Sequence, residues 1–220
     1  MSVDGPFYCN GYMLKKTNQV TAVRESTQDD CSNGWEAVAK EFIEVRAQST
    51  VGAEMVRHWA SKLPAAASVL DLGCGSGVPI SQSLIERGCM VSGLDASPTL
   101  IAEFNKRFKN MRSVCESVES SNFFGESFDG VVAIGLVFLL PVNVQRSLIH
   151  RVGSVLNHGG HFLFTSPRQQ CSWSDMTTGL ESRSLGHADY VSIFSETDLI
   201  LVGNYTDEGD NYYYDLRKGT

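Results

Sequence analysis

Val69-Leu70-Asp71-Leu72-Gly73-Cys74-Gly75-Ser76-Gly77-Val78-Pro79 decides how this chain reads. A short apolar run, beginning at Ala67, enters three glycines at alternate positions and leaves into a helical pattern. A run that short, ended by turn residues, reads as a strand buried in a parallel sheet. Glycine adopts dihedrals closed to other residues and lets a ligand approach the main chain, at a cost in conformational entropy. Three in one turn therefore point to a ligand. The spacing from Gly73 is G-x-G-x-G. A dinucleotide fingerprint, G-x-G-x-x-G, needs its last glycine where Val78 stands, and a phosphate loop needs a Gly-Lys-Ser/Thr that is absent. Asp71, just ahead of the glycines, repels a diphosphate and suits a cationic ligand.

Working outward, the pattern alternates between strand and helix. Before the turn, Trp35, Val38, Ala39, Phe42, Ile43 and Arg46 recur at spacings of three and four, and a second helix is predicted over 51–63, stopped by Pro64. After it come a helix at 78–86 closed by Gly88, a strand at 89–94, and a helix to about 109 opened by Ser97 and Pro98. Strands are predicted at 112–115 and 128–136, a helix at 141–156 ended by Asn157-His158-Gly159-Gly160, and a strand at 161–165. Residues 166–187 are rich in Ser, Thr, Gly and Gln and read as an insertion anchored by Trp173. A weak helix at 188–196 and two alternating runs, 199–205 and 211–216, close the chain as a hairpin. This alternation predicts an α/β doubly wound sheet, whose ligands bind beyond the carboxyl ends of the strands. The domain reading is an N-terminal lead-in and helical cap over 1–64, and a core over 65–220 with a lid insertion at about 166–187.

Composition narrows the function classes. With 220 residues, 42% of them hydrophobic, the chain builds one real core. Eighteen Lys and Arg against 25 Asp and Glu give a net charge of −7, which repels nucleic acid. The six cysteines form no C-x-x-C pair or metal spacing and fit a reducing cytoplasm. The first ten residues lack the features of a signal peptide. The longest apolar stretch, 131–142, is 12 residues, and a membrane span needs about 20. A small-molecule partner is expected, with no membrane or nucleic acid, and the oligomeric state is open. His158 and His161 flank Gly159-Gly160 without a third ligand at suitable spacing, so no metal is predicted.

With these segments in order, the sequence resembles the class I S-adenosylmethionine-dependent methyltransferases. "VLDLGCGSG" is similar to that family's first motif, and the resemblance continues through "VSGLDAS", "CESVE", "SFDGVVAIG" and "VLNHGGHFLFTSP". It implies a three-layer αβα sheet of seven strands, mostly parallel with the last antiparallel, in the Rossmann-like form. It also implies S-adenosyl-L-methionine as cofactor. By this resemblance Gly73, Cys74, Gly75 and Gly77 bring the backbone to the methionine portion and ribose, and Asp71 orients the loop and the amino group. Asp95 and Ala96 end the second strand, where one carboxylate accepts both ribose hydroxyls. Glu116 and the N–H of Ser117 meet the adenine, with Glu119 close enough to leave the register loose. Gly135, between Ile134 and Leu136, faces the methionine end. Phe42 and Arg46 share one helix face, from which Arg46 reaches toward the cofactor's carboxylate.

Methyl transfer to an alcohol or ammonium also needs a proton acceptor. The residue after Gly135 is Leu136, followed by Val137 and Phe138, so this wall offers no base. The catalytic group is unknown. Weak candidates from the insertion and hairpin are Asp175, His187 and Tyr190, after which come Glu181, Asp207 and Tyr212. Trp173 with Tyr212, Tyr213 and Tyr214 reads as an aromatic lid or as hairpin packing. The expected activity is methyl transfer to a small molecule by in-line displacement. The alternative is a cofactor-binding module without transferase activity; an NAD-type oxidoreductase fits the glycine spacing poorly.

Overall fold

A computed structural model describes residues 30–219. The polar lead-in expected at the N-terminus falls almost wholly outside the described residues. Two helices, α1 (Trp35–Arg46) and α2 (Ala53–Ala60), precede the sheet. The core then runs β1 (Ser68–Leu72), α3 (Ile80–Glu86), β2 (Met90–Asp95), α4 (Pro98–Arg107), β3 (Arg112–Cys115), β4 (Phe128–Ala133) and α5 (Val142–Val155). It continues through β5 (Leu156–Thr165), β6 (Cys171–Ser174), β7 (Glu181–Ser184), α6 (His187–Ser195), β8 (Leu199–Thr206) and β9 (Tyr212–Lys218).

Seven strands form one sheet in the order β3-β2-β1-β4-β5-β9-β8. β1 through β5 pair in parallel, and β9 lies antiparallel between β5 and β8. This is the expected doubly wound sheet, with its antiparallel last strand. The order reverses beside β1, so the ends of β1, β2 and β4 open on one crevice. Two apolar layers fix the sheet. Leu70, Leu72, Val131, Phe162 and Phe164 face one cluster with α5 and α6, while Val69, Val91, Val132 and Leu163 face another with Trp59, Leu84 and Phe104. Strands buried on both faces read as continuous apolar runs, which is why they were visible in the sequence.

Three segments depart from the sequence reading. β4 stops at Ala133, three residues before the expected end, because the chain turns at Gly135 with φ 79°. β5 begins at Leu156 rather than His161. Gly159 and Gly160 lie within it as a bulge, where pairing with β4 jumps from Phe128↔Leu156 to Gly130↔His161. A Cβ on Gly160 would sit 2.9 Å from the Asn157 carbonyl oxygen and 3.0 Å from that of Asp129, so the glycine lets the bulge close. His158 and His161 are therefore strand residues. Finally, the insertion contains two strands that were not expected: β6 and β7 pair as a separate hairpin. No helix among the described residues is long and apolar enough to cross a membrane.

Candidate functional site

The crevice opens into a cavity of about 800 Å³ at the carboxyl ends of β1, β2 and β4. Its floor is the glycine turn. The Gly73 and Cys74 N–H groups both donate to the Leu94 carbonyl, at 2.8 and 3.0 Å, which binds the turn to the end of β2. Gly75, at φ 55°, donates its N–H to Asp95 Oδ2 at 2.9 Å, and the Ser97 N–H donates to Asp95 Oδ1 at 2.9 Å. Each carboxylate oxygen thus has one backbone donor and spare acceptor capacity. Ser97 caps α4 by accepting the Leu100 N–H at 3.2 Å, as expected, with Pro98 in the first helical turn.

Asp71 is buried beneath the turn, and its Oδ2 accepts the Ser81 hydroxyl. Burial pushes its carboxyl up to about 7 and the nearby Asp95 charge adds to this, while the Ser81 bond and the Arg46 charge oppose it. Burial likewise raises Asp95, against the bonds from Ser97 and Gly75. Arg46 is itself buried, at 6% exposure, and lines the same cavity. Cys74 lines it too, its thiol pushed up by burial and so held neutral.

Of the residues singled out in the sequence, the cavity brings together Arg46, Asp71, Gly73, Cys74, Gly75, Asp95, Ala96, Glu116, Ser117, Gly135 and Asp175. Gly77, Glu181, His187, Tyr190, Asp207 and Tyr212 lie outside its lining. Gly77 serves packing instead: a Cβ there would strike Phe104 and Phe108 on the α4 side. Tyr190 is fully buried in the core, its hydroxyl donating to Gln145 Oε1 at 2.7 Å and lying 2.9 Å from Ser166 Oγ. His187 stacks on Tyr214 with ring centroids 5.9 Å apart. The aromatic lid also resolves differently. Trp173 packs on Phe138 at 5.5 Å, and Tyr213 and Tyr214 are core residues. Asp207 holds the β8–β9 turn and accepts the Tyr213 hydroxyl at 2.7 Å.

The roof carries residues that nothing local in the chain singles out. Glu36, in the first turn of α1, reaches α4. It accepts the Thr99 N–H at 3.1 Å, the Thr99 hydroxyl at 2.6 Å and the Ser97 hydroxyl. Asn33 Nδ2 donates to the Leu139 carbonyl at 3.1 Å. These bonds fasten the N-terminal end of α1 over the cavity. Trp35 lines the roof, stacked edgewise on Phe42 at 4.9 Å. Opposite, Thr165 at the end of β5 accepts the Gly135 N–H at 2.8 Å and fixes the turn after β4. Two cavity residues carry buried polar atoms without a protein partner among the described residues, Ser76 Oγ and Trp35 Nε1. Orphaned groups of this kind are rare and mark where a ligand or water completes the bonding. No cluster of His, Cys, Asp and Glu suited to a metal ion occurs among the described residues.

Residues 69–160 match the model of a methyltransferase domain. No protein of curated function matches the chain in sequence. Solved structures do match in fold. One is a 1,6-didemethyltoxoflavin-N1-methyltransferase from Burkholderia thailandensis, with bound 1,6-didemethyltoxoflavin and S-adenosylhomocysteine, at 18% identity and TM-score 0.70 over 91% of this chain and 94% of that one. Another is the magnesium protoporphyrin IX methyltransferase from Synechocystis, with bound SAM, at 15% identity and TM-score 0.64 over 89% of this chain and 100% of that one. A third is an N-methyltransferase from Bradyrhizobium japonicum in complex with S-adenosyl-L-homocysteine, at 19% identity and TM-score 0.65 over 87% and 100%. Residues 69–160 thus match a methyltransferase domain, and the chain as a whole shares the seven-stranded fold of these solved methyltransferases.

Proposed function

We propose that this chain is an S-adenosylmethionine-dependent methyltransferase acting on a small-molecule acceptor. The observation that carries the reading is the Asp95 carboxylate, bracketed by the Gly75 and Ser97 N–H groups at the rim of the glycine turn. Both of its oxygens keep a lone pair for the two donors of a ribose diol. The residues present fit the cofactor elsewhere too. Asp71 answers an ammonium group, Arg46 a carboxylate, and Glu116 with the Ser117 N–H an adenine edge. Ser76 Oγ supplies a further hydroxyl without a protein partner among the described residues.

When bound, S-adenosylmethionine supplies an electrophilic methyl on a sulfonium, with a neutral thioether as leaving group. The chain's part is positioning. α1 closes over the cavity and excludes water, while the Gly135 turn holds the acceptor side open: a Cβ placed there meets nothing within 4 Å. Holding two reactants in line is worth up to about 7–11 kcal/mol. Leu136, Val137 and Phe138 add shape and dryness but no proton acceptor. That apolar wall keeps a second reading alive, a binding module without transfer. Release of S-adenosylhomocysteine with any acceptor would reject that second reading.

The domain reading extends the proposal: α1 and α2 form a cap, and the β6–β7 hairpin forms the lid. A crystal structure with S-adenosylhomocysteine is the test. Ribose hydroxyls within hydrogen-bond distance of Asp95 support the reading. A ligand placed away from the glycine turn overturns it.

A further inference from the structure

The cavity, at about 800 Å³, lies in the upper part of the range for ligand pockets, roughly 300–1,000 Å³. Its lining extends past the cofactor residues to the β6–β7 turn, with Asp175, Met176 and Thr177, and to apolar walls from Trp35, Leu136, Phe138 and Leu139. The hairpin is fixed there by Trp173, which rests on Phe138, and by the Arg183 carbonyl, which accepts the Gln145 side-chain N–H at 3.1 Å.

Asp175 opens the hairpin turn and is 7% exposed. Its Oδ1 accepts all three turn bonds, from the Thr177 N–H at 3.0 Å, the Thr178 N–H at 2.8 Å and the Thr178 hydroxyl at 3.0 Å. Its Oδ2 has no donor among the described residues, and the residue lines the cavity. A turn needs only one carboxylate oxygen. The second oxygen is not among the buried atoms left without a partner, so it stays open to solvent with its lone pairs unused, available to a cation or an N–H.

The charge around it agrees. Besides Asp71, Asp95 and Glu116, which the cofactor reading uses, the lining contains Asp30, Glu41, Glu119 and Asp175. Against these stands one basic side chain among the described residues, Arg46, buried beside Asp71. A carboxylate or phosphate acceptor would enter this field against repulsion; an ammonium is drawn in.

We propose that the acceptor is a small amine with a flat apolar body, and that Asp175 Oδ2 binds its N–H and takes its proton. The proposal rests on the methyltransferase reading. The bound ammonium first yields one proton to the Asp175 carboxylate, and the nitrogen lone pair so freed forms a bond to the methyl carbon as the carbon–sulfur bond breaks. The bonding pair leaves with sulfur as a neutral thioether, and the methylated nitrogen leaves as an ammonium. Asp175 thus supplies the proton acceptor that the Leu136 wall lacks.

The test uses benzylamine and benzoate as probes of matched shape, titrated into the full chain saturated with S-adenosylhomocysteine. The expected result is benzylamine binding roughly tenfold or more tighter than benzoate. That preference should collapse in Asp175→Asn, whose side-chain oxygen still accepts the turn bonds. The preference in the unaltered chain is a second readout, independent of how the variant folds. Benzoate binding as well as benzylamine, binding of neither, or an undiminished preference in Asp175→Asn overturns the proposal. If S-adenosylhomocysteine itself fails to bind, the methyltransferase reading falls and this proposal with it; if it binds and the preference is absent, only this proposal falls.

Discussion

Glu36 on α1 and Thr99 on α4 are joined twice, through the Thr99 N–H at 3.1 Å and its hydroxyl at 2.6 Å. The same carboxylate also accepts the hydroxyl of Ser97, whose N–H donates to Asp95. The helix that roofs the cavity and the carboxylate at its rim therefore share one hydrogen-bond chain. Closure of the roof and the posture of Asp95 are mechanically linked.

Replacing Glu36 with Ala should loosen the roof without harming the core. S-adenosylhomocysteine affinity, read by calorimetry, should fall about tenfold, with a stability loss near 1 kcal/mol. Burial works to raise the Glu36 carboxyl, but the bonds from Ser97 and Thr99 outweigh it and hold it below the usual carboxylate range. The latch is thus complete above the ordinary carboxylate range and is lost as pH falls through the lowered value. Limited proteolysis of α1 should accelerate under those acid conditions and in Glu36→Ala at neutral pH.

Asp71 sets a second pH dependence, of opposite sign. Its carboxyl titrates near 7 when folded and from 3.8 when unconstrained, so the folded state holds an extra proton between those values. Stability of the ligand-free protein should fall as pH rises through that window and level off above it. Ligand affinity should move the other way, because only the ionised carboxyl attracts an ammonium. Titrations with S-adenosylhomocysteine at pH 6 and 8 should show tighter binding at the higher pH, and Asp71→Asn should flatten both trends.

Tyr190 belongs to the core rather than to the chemistry. Tyr190→Phe leaves Gln145 Oε1 and Ser166 without their shared hydroxyl partner, which should cost about 1–3 kcal/mol in urea unfolding. S-adenosylhomocysteine affinity should not change. A lost affinity at preserved stability would place Tyr190 in the site after all.

Asp215 anchors α2 to the sheet outside the cavity lining. It is fully buried on β9 and accepts Lys62 Nζ at 2.6 Å and Trp59 Nε1 at 3.1 Å, with His161 Nδ1 at 3.3 Å. Burial pushes its carboxyl up, but the His161 and Lys62 bonds and charges outweigh this and hold it below the ordinary range. Its contribution is present above that range and disappears as pH falls through the lowered value. Lys62→Met should cost about 1–3 kcal/mol at neutral pH and move acid unfolding to higher pH, followed by circular dichroism.

Much of the sheet was visible in the sequence because parallel strands buried on both faces appear as unbroken apolar runs between turn residues. The glycine turn and Asp95 were visible because their residue types admit few other uses at that spacing. What escaped notice depends on partners distant in the chain. Glu36 meets Thr99 across 63 residues and nothing local distinguishes it from any helix-start glutamate. Gly159-Gly160 looked like a helix stop, because a bulge and a turn ask for the same residue. Tyr190 and His187 look reactive by type, and only the packing around Tyr214 and Phe164 shows Tyr190 enclosed and His187 half-buried against a core ring. Asp175 was visible as a carboxylate in a polar segment, while its free oxygen was not.

The most direct measurement is isothermal titration of S-adenosylhomocysteine into the purified chain and into Asp95→Ala. One-to-one binding is expected, weakened roughly tenfold to a hundredfold in the variant, in line with about 1–3 kcal/mol for its lost hydrogen bonds. Absence of binding, or an unchanged affinity in Asp95→Ala, would contradict the assignment of this cavity to the methyl donor.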